Sequence, residues 1–198
     1  MNIYPCKVFV DSPGLDITYY RNFYNHAESI ELLNIFAHPK HTNWRQDFIK
    51  IYGKEVPIPR LQAWYGDRAY TYSGIQMHPN AWTPELLAVK EDIEKTTKTK
   101  YNAVLLNLYV NGESSVGWHS DDEPELGNQP VIASLSLGAE RKFSFRSKLD
   151  HSQVNHIDLN NGSVILMAGM TQALYQHQLP KTTRKLGVRV NLTFRYLY

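Results

Sequence analysis

His119-Ser120-Asp121 sets an imidazole and a carboxylate two residues apart, and in an extended segment two apart means the same face. A distant histidine on a facing strand would complete a two-histidine, one-carboxylate face. That set holds Fe(II) and leaves coordination positions open for substrate and O2. The spacing alone is a weak signal, because a second instance, His156-Ile157-Asp158, occurs in the same chain. Position separates the two. Several predicted strands lie between His119 and His177, enough to cross a barrel and return, whereas His156 and His177 leave room for a single hairpin. Asn160-Asn161-Gly162 follows the second pair at once, so it reads as an ordinary strand end. His26, His38, His41, His78 and His151 fall in loops or near element ends and read as solvated.

The last predicted strand adds an anion site. Val188, Val190, Leu192, Phe194 and Tyr196 alternate with Arg189, Asn191, Thr193 and Arg195, so one face is apolar and the other polar and twice cationic. With the apolar face packed under helices, both guanidinium groups point into a barrel and require an anion. An edge strand with a solvated arginine face is the alternative. Asn107 and Tyr109 share a face of an earlier strand and offer an amide and a phenol to a carboxylate while an arginine takes another. Metal triad and polar faces together suit a metal and a small dicarboxylate.

These side chains need a scaffold. The 198 residues fit one domain, and 42% hydrophobic with 20% charged residues excludes disorder as the main character. The longest apolar run, Val164 to Met170, is too short to cross a bilayer, and no secretory signal is expected at the start. A single cysteine, Cys6, excludes an intramolecular disulfide framework and a multi-cysteine zinc site, and points to a reducing compartment. The net charge of +2 permits a nucleic-acid partner without arguing for one.

A helix is predicted over Glu28 to Ala37, closed by His38-Pro39, and a second after Thr83-Pro84, with Leu86, Val89 and Ile93 at helical spacing. From Asn102 the pattern turns to short strands: Ala103–Val110, Val131–Leu137, Lys142–Arg146, Val154–Leu159, Ser163–Ala168, Ala173–Gln178 and Val188–Tyr196. Helices ahead of regularly spaced strands give an α+β class built on a sandwich or jelly-roll barrel.

The ordered set Tyr101–Tyr109 (YNAVLLNLY), Gly117–Glu123 (GWHSDDE), Pro130–Gly138 (PVIASLSLG), Phe143–Arg146, His177–Pro180 and Arg189–Arg195 (RVNLTFR) resembles the AlkB-type Fe(II)- and 2-oxoglutarate-dependent dioxygenases. The likeness runs from Ile51 to Arg195 and is nearest the branch that repairs alkylated bases in duplex DNA. It implies one domain with a double-stranded β-helix core over 101–198 and N-terminal helices packed on one sheet. A nucleotide-recognition lid and helix would occupy 51–100, and an N-terminal extension 1–50.

By the same resemblance His119, Asp121 and His177 are the iron ligands and catalytic centre. Arg195 would pair with the far carboxylate of 2-oxoglutarate, helped by Tyr109, and Arg189 would hold the end near the metal, with Asn107 and Asn191 lining the pocket. The implied reaction couples decarboxylation of 2-oxoglutarate to succinate with oxidation of an N-methyl group by O2, releasing formaldehyde from 1-methyladenine or 3-methylcytosine. On the substrate side, Tyr52 before Gly53-Lys54 would fill the stack vacated by an extruded base. Arg60 would lie near the displaced strand, Tyr70, Tyr72 and Ser73 in the base pocket, and Glu123 against an exocyclic amine. Lys50, Lys54, Arg60, Arg68, Lys181, Arg184 and Lys185 would form a phosphate-facing rim. Ser120 departs from a basic residue carried there by duplex-acting relatives, which removes one phosphate contact and leaves the iron site untouched. Alkylated DNA is the expected partner of a monomer in a bacterial cytoplasm, or a nucleus in a eukaryotic source. RNA or protein substrates, or a non-catalytic jelly-roll binding module, are the alternatives.

Overall fold

The computed structural model describes residues 5–9, 11–72 and 75–198, with side chains described except at 50, 51, 70–72 and 75–77. The chain opens with β1 (Cys6–Val8), β2 (Asp16–Tyr20) and α1 (His26–Ala37). Then come β3 (Phe48–Ile51), β4 (Lys54–Pro57), β5 (Leu61–Gly66), β6 (Tyr70–Tyr72), β7 (Ile75–Met77) and α2 (Pro84–Thr97). β8 (Ala103–Tyr109) and β9 (Val116–His119) precede a 3-10 turn at Pro124–Leu126. The rest is β10 (Ile132–Gly138), β11 (Arg141–Ser147), β12 (Val154–Leu159), β13 (Ser163–Ala168), α3 (Thr171–Leu174), β14 (Tyr175–Leu179) and β15 (Arg189–Arg195).

Two antiparallel sheets face each other as a jelly roll in an α+β fold. The larger runs β1-β2-β13-β10-β15-β8-β5 and the smaller β12-β11-β14-β9, while β3-β4 and β6-β7 form separate pairs. The larger sheet is buried on both faces. Val190, Leu192 and Phe194 of β15 join Val104 and Leu106 of β8 against Phe36 of α1 and Leu86, Val89 and Ile93 of α2. The opposite face contributes Trp64, Leu105 and Ile132 to a second core, shared with Phe143, Phe145 and Leu179 of the smaller sheet. Each such side chain withdrawn from water stabilises the fold by about 1.5–3 kcal/mol. β15 lies inside the sheet between β10 and β8, so the solvated edge reading of its arginines fails; both are 2% exposed.

The helices start where their caps dictate. Asn25 closes a capping box with Glu28, which begins α1 two residues before the predicted start. Thr83 accepts from Leu86 N and Pro84 occupies the first turn of α2, as predicted.

Three expectations need correction. The first fifty residues are no extension, because β2 pairs with β13 in register Ile17↔Met167 and α1 packs on β10 and β15. The DITYY run shows no strand period because Ile17 and Tyr19 enter one core and Tyr20 the other, which removes polar alternation. Ala173 and Leu174 belong to α3, not to the strand that follows. Thr171 fixes that turn by accepting from Asp16 N, 2.9 Å away, so the strand begins only at Tyr175. Leu61–Gly66, read as part of a lid, is instead the edge strand β5, paired to β8 throughout.

Candidate metal and dicarboxylate site

β9 and β14 are neighbours in the smaller sheet, and their register sets His119 directly opposite His177 with ring centroids 4.2 Å apart. The chain leaves β9 after His119 and turns Asp121 back toward both rings. Ligand atoms of His119, Asp121 and His177 all lie within 4.8 Å of one another, the only such group of metal-ligating side chains among the described residues. His119 Nδ1 stands 2.9 Å from the Gly117 carbonyl. A carbonyl only accepts, so Nδ1 carries the proton and Nε2 presents its lone pair toward Asp121, 3.9 Å away. His156, by contrast, bonds Ser144 Oγ at 2.9 Å on β12, as an ordinary strand residue.

Asp121 is the electrostatic centre. Its Oδ2 accepts from Arg195 Nη2 at 2.8 Å and its backbone N–H donates to Gln172 Oε1 at 2.9 Å. Oδ1 is buried without a hydrogen bond, as is Nδ1 of His177. Burial alone would raise the Asp121 carboxyl; Arg195 and the two histidines outweigh it and hold it at about 2. Burial, then the neighbouring His119, pushes His177 down to about 3, and burial chiefly lowers His119 as well. A buried carboxylate oxygen facing two imidazoles whose burial favours the neutral form fits a divalent cation, with one hard oxygen and two nitrogens on one side.

Beside the triad the two sheets frame a pocket whose lining includes His119, Asp121 and His177 at one end and Tyr109 and Arg189 at the other. The polar face of β15 (Arg189, Asn191, Thr193 and Arg195) forms one wall, with Asn107 and Tyr109 of β8 alongside. Both arginines point inward, as alternation required. Their ends are the reverse of expectation. Arg195 reaches Asp121 and so stands at the metal end, whereas β15 pairs with β8 in register Arg189↔Tyr109 at the far end. There the Arg189 guanidinium lies 5.0 Å from the Tyr109 ring centroid and donates to Ser136 Oγ at 2.9 Å, while its Nε has no hydrogen bond. Alternation fixes a face; only strand register fixes which end meets the metal.

Other expected residues differ in placement. Asn107 Oδ1 accepts from Arg60 Nε (2.8 Å) and Gln62 Nε2 (3.1 Å). Asn191 donates to Ser134 Oγ and the Leu135 carbonyl, and its Oδ1 accepts from Thr193. Arg60 is buried in the cavity wall, with Nη1 on the Ser115 carbonyl, so it is not on a surface that meets a displaced strand. Glu123 is half-buried two residues past Asp121, at the start of the 3-10 turn. Tyr52 is fully exposed at the tip of the β3-β4 hairpin, beside Gly53, so it covers no core. The side chains of Tyr70 and Tyr72 and the whole of Ser73 lie outside the described residues.

Sequence reading missed Gln172, Gln62, Ser134 and Ser136. The serines carried a usable signal, since they share the face of residues 132–138 opposite Ala133, Leu135 and Leu137. Gln172 carried none, because its role depends on a turn fixed by β2.

Residues 16–195 match the family described as the 2OG-Fe(II) oxygenase superfamily. Human "Alpha-ketoglutarate-dependent dioxygenase alkB homolog 3" is 49% identical over 149 residues, 71% of this chain and 52% of that protein. Mouse "DNA oxidative demethylase ALKBH2" is 39% identical over 156 residues, 74% of this chain and 65% of that protein. The chain thus spans about half the length of the alkB homolog 3 proteins it matches. A solved structure, "The structure of OsALKBH1", shares the fold with a TM-score of 0.63 at 19% identity, covering 92% of this chain and 98% of that one. Family and triad together point to Fe(II), 2-oxoglutarate and O2 as what the site handles. The chain belongs to the 2OG-Fe(II) oxygenase superfamily, as an AlkB-type member.

Proposed function

We propose that this chain is an Fe(II)- and 2-oxoglutarate-dependent dioxygenase that removes N-alkyl groups from nucleobases of the 1-methyladenine and 3-methylcytosine type in DNA. The observation that carries the reading is a single cavity with a two-histidine, one-carboxylate face at one end and an arginine without an acidic partner at the other. The names borne by the alkB homolog 3 and ALKBH2 relatives support it.

His119, Asp121 and His177 would hold the iron. Bound there, iron with 2-oxoglutarate supplies O2 reduction, which yields succinate and CO2 and places an oxygen atom on the N-alkyl carbon. The hydroxylated carbon then leaves the ring nitrogen as formaldehyde. The protein's task is placement. Arg189 takes the far carboxylate with Tyr109 beside it, and Arg195 keeps Asp121 ionised and oriented next to the near end. Leu105, Val116, Phe143, Met167 and Leu179 complete the cavity wall with apolar surface, which limits water around the reacting groups.

A base inside a duplex reaches this cavity only by extrusion, and an aromatic side chain inserted into the stack fills the gap. Tyr52 supports that role: φ is 49° at Tyr52 and 78° at Gly53, a tight turn that holds the phenol out in solvent. Glu123, half-buried two residues past Asp121, would accept from the base's exocyclic amine. The substrate is DNA, handled by a monomer in a compartment that contains it.

Oligonucleotides with 1-methyladenine or 3-methylcytosine, single- and double-stranded, test the reading when incubated with Fe(II) and 2-oxoglutarate. Restored bases with equimolar succinate are expected. Protein that binds 2-oxoglutarate yet restores none of these bases would overturn it.

A further inference from the structure

We propose that Arg141 is a positioning residue for the far-carboxylate end of the cavity, acting through Tyr109; this rests on the reading that 2-oxoglutarate lies with that carboxylate at Arg189. Arg141 opens β11, is 3% exposed, and does not line the cavity, whereas Tyr109 and Arg189 do. It stands one layer behind them.

Its hydrogen bonds run to backbone carbonyls of two separate loops. Nη2 donates to Ser114 O (2.9 Å) and Pro180 O (2.7 Å), and Nη1 to Asn111 O (3.3 Å). The β8-β9 loop and the segment after β14 are thereby tied to β11 behind the cavity. The guanidinium carbon is 5.9 Å from the Tyr109 ring centroid, and that of Arg189 is 5.0 Å from the same ring. Two cations thus approach one aromatic ring, an attraction worth more where water is excluded.

Among the described residues neither arginine has a carboxylate within ion-pair distance. Buried guanidinium groups whose hydrogen bonds run to neutral carbonyl and hydroxyl oxygens are costly to keep charged. An arriving carboxylate relieves that cost at Arg189 and, through the shared ring, at Arg141. The expected consequence is selectivity: Arg141 contributes to binding of a 2-oxo acid only when that acid carries a second carboxylate.

The test is anaerobic titration of the Fe(II)-loaded protein, followed by its visible charge-transfer absorption or by calorimetry. Two ligands are compared, 2-oxoglutarate and 2-oxopentanoate, which has the same carbon chain without the second carboxylate. Arg141→Met should weaken 2-oxoglutarate binding about tenfold, the scale of a supporting-residue loss, while 2-oxopentanoate changes by less than about twofold. In a Tyr109→Ala background the Arg141 substitution should add almost nothing. Equal weakening for both acids, or none for either, would overturn the proposal and leave Arg141 a staple between loops. Should Arg141→Met fail to fold, Arg141→Lys keeps the charge and stem but not the three-carbonyl grip. A smaller loss, still confined to 2-oxoglutarate, is then expected because the charge is kept while its placement is loosened, and parallel loss for both acids again overturns the proposal. Wild-type protein that binds no 2-oxoglutarate at all overturns the functional reading itself.

Discussion

Arg195 Nη2 donates to Asp121 Oδ2 over 2.8 Å, with the two side chains 3% and 1% exposed. The pair spans β15 of the larger sheet and the turn after β9 of the smaller one, so it joins the metal face to the co-substrate wall. Removing one partner leaves the other as a buried charge without its counter-ion. Arg195→Met should lower the unfolding free energy of the metal-free protein by about 3–5 kcal/mol, read by urea titration. Added Mn(II) should restore part of the loss by supplying a cation to the abandoned carboxylate. A loss below about 1 kcal/mol would mean that solvent reaches Asp121.

Protonation gives a second prediction. Burial and then His119 hold His177 near 3 against an ordinary 6.5, so it is neutral in the fold but takes a proton in the unfolded chain below 6.5. Its contribution to stability is complete above pH 6.5 and drains away as pH falls toward 3. Asp121 differs: its contribution is present above 3.8 and goes only as pH falls through about 2. Metal-free protein should therefore keep a flat unfolding free energy from pH 8 to 7 and lose it below about 6.5. His177→Leu should flatten the slope between pH 6.5 and 4, and an unchanged slope would assign the acid sensitivity elsewhere.

Gln172 supports the carboxylate from behind. It is 2% exposed, accepts from Asp121 N, and sits on α3, which Thr171 ties to β2. Gln172→Leu should weaken Mn(II) binding about 10- to 100-fold, the usual cost of losing a group that orients a ligand. The expected change in melting temperature is small. Unaltered metal affinity would show that the turn after His119 holds Asp121 unaided.

Tyr52 touches no core, so Tyr52→Ala should leave stability within about 0.5 kcal/mol of wild type. Turnover of a duplex lesion should fall about tenfold or more, against little change on the same lesion in single strand, because only the duplex has a stack to refill. Matched losses on both forms would assign Tyr52 to general nucleic-acid contact.

The parts that were legible in the sequence share one physical property: a periodicity carried by one buried face and one polar or helix-capped end. α2 announced itself through Thr83, Pro84 and the Leu86–Val89–Ile93 stripe, and β15 through strict alternation. β2 did not, because a strand buried on both faces shows no period. The metal triad was legible because the His119–Asp121 spacing, weak by itself, joined the number of strands separating it from His177 and the ordered motifs of the family resemblance. Arg60 was misplaced because its burial depends on Gln62 pairing with Asn107 across β5 and β8, a relation that local spacing does not contain.

β15 is hydrogen-bonded along both edges, to β10 and to β8. Loss or gain of a single residue inside it would carry one guanidinium from the cavity to the layer beneath α1 and α2, against Phe36 and Ile93, and drop an aliphatic chain where an anion must sit. Insertions and deletions there are survivable only in pairs. The length of the segment is thus held as firmly as its two arginines.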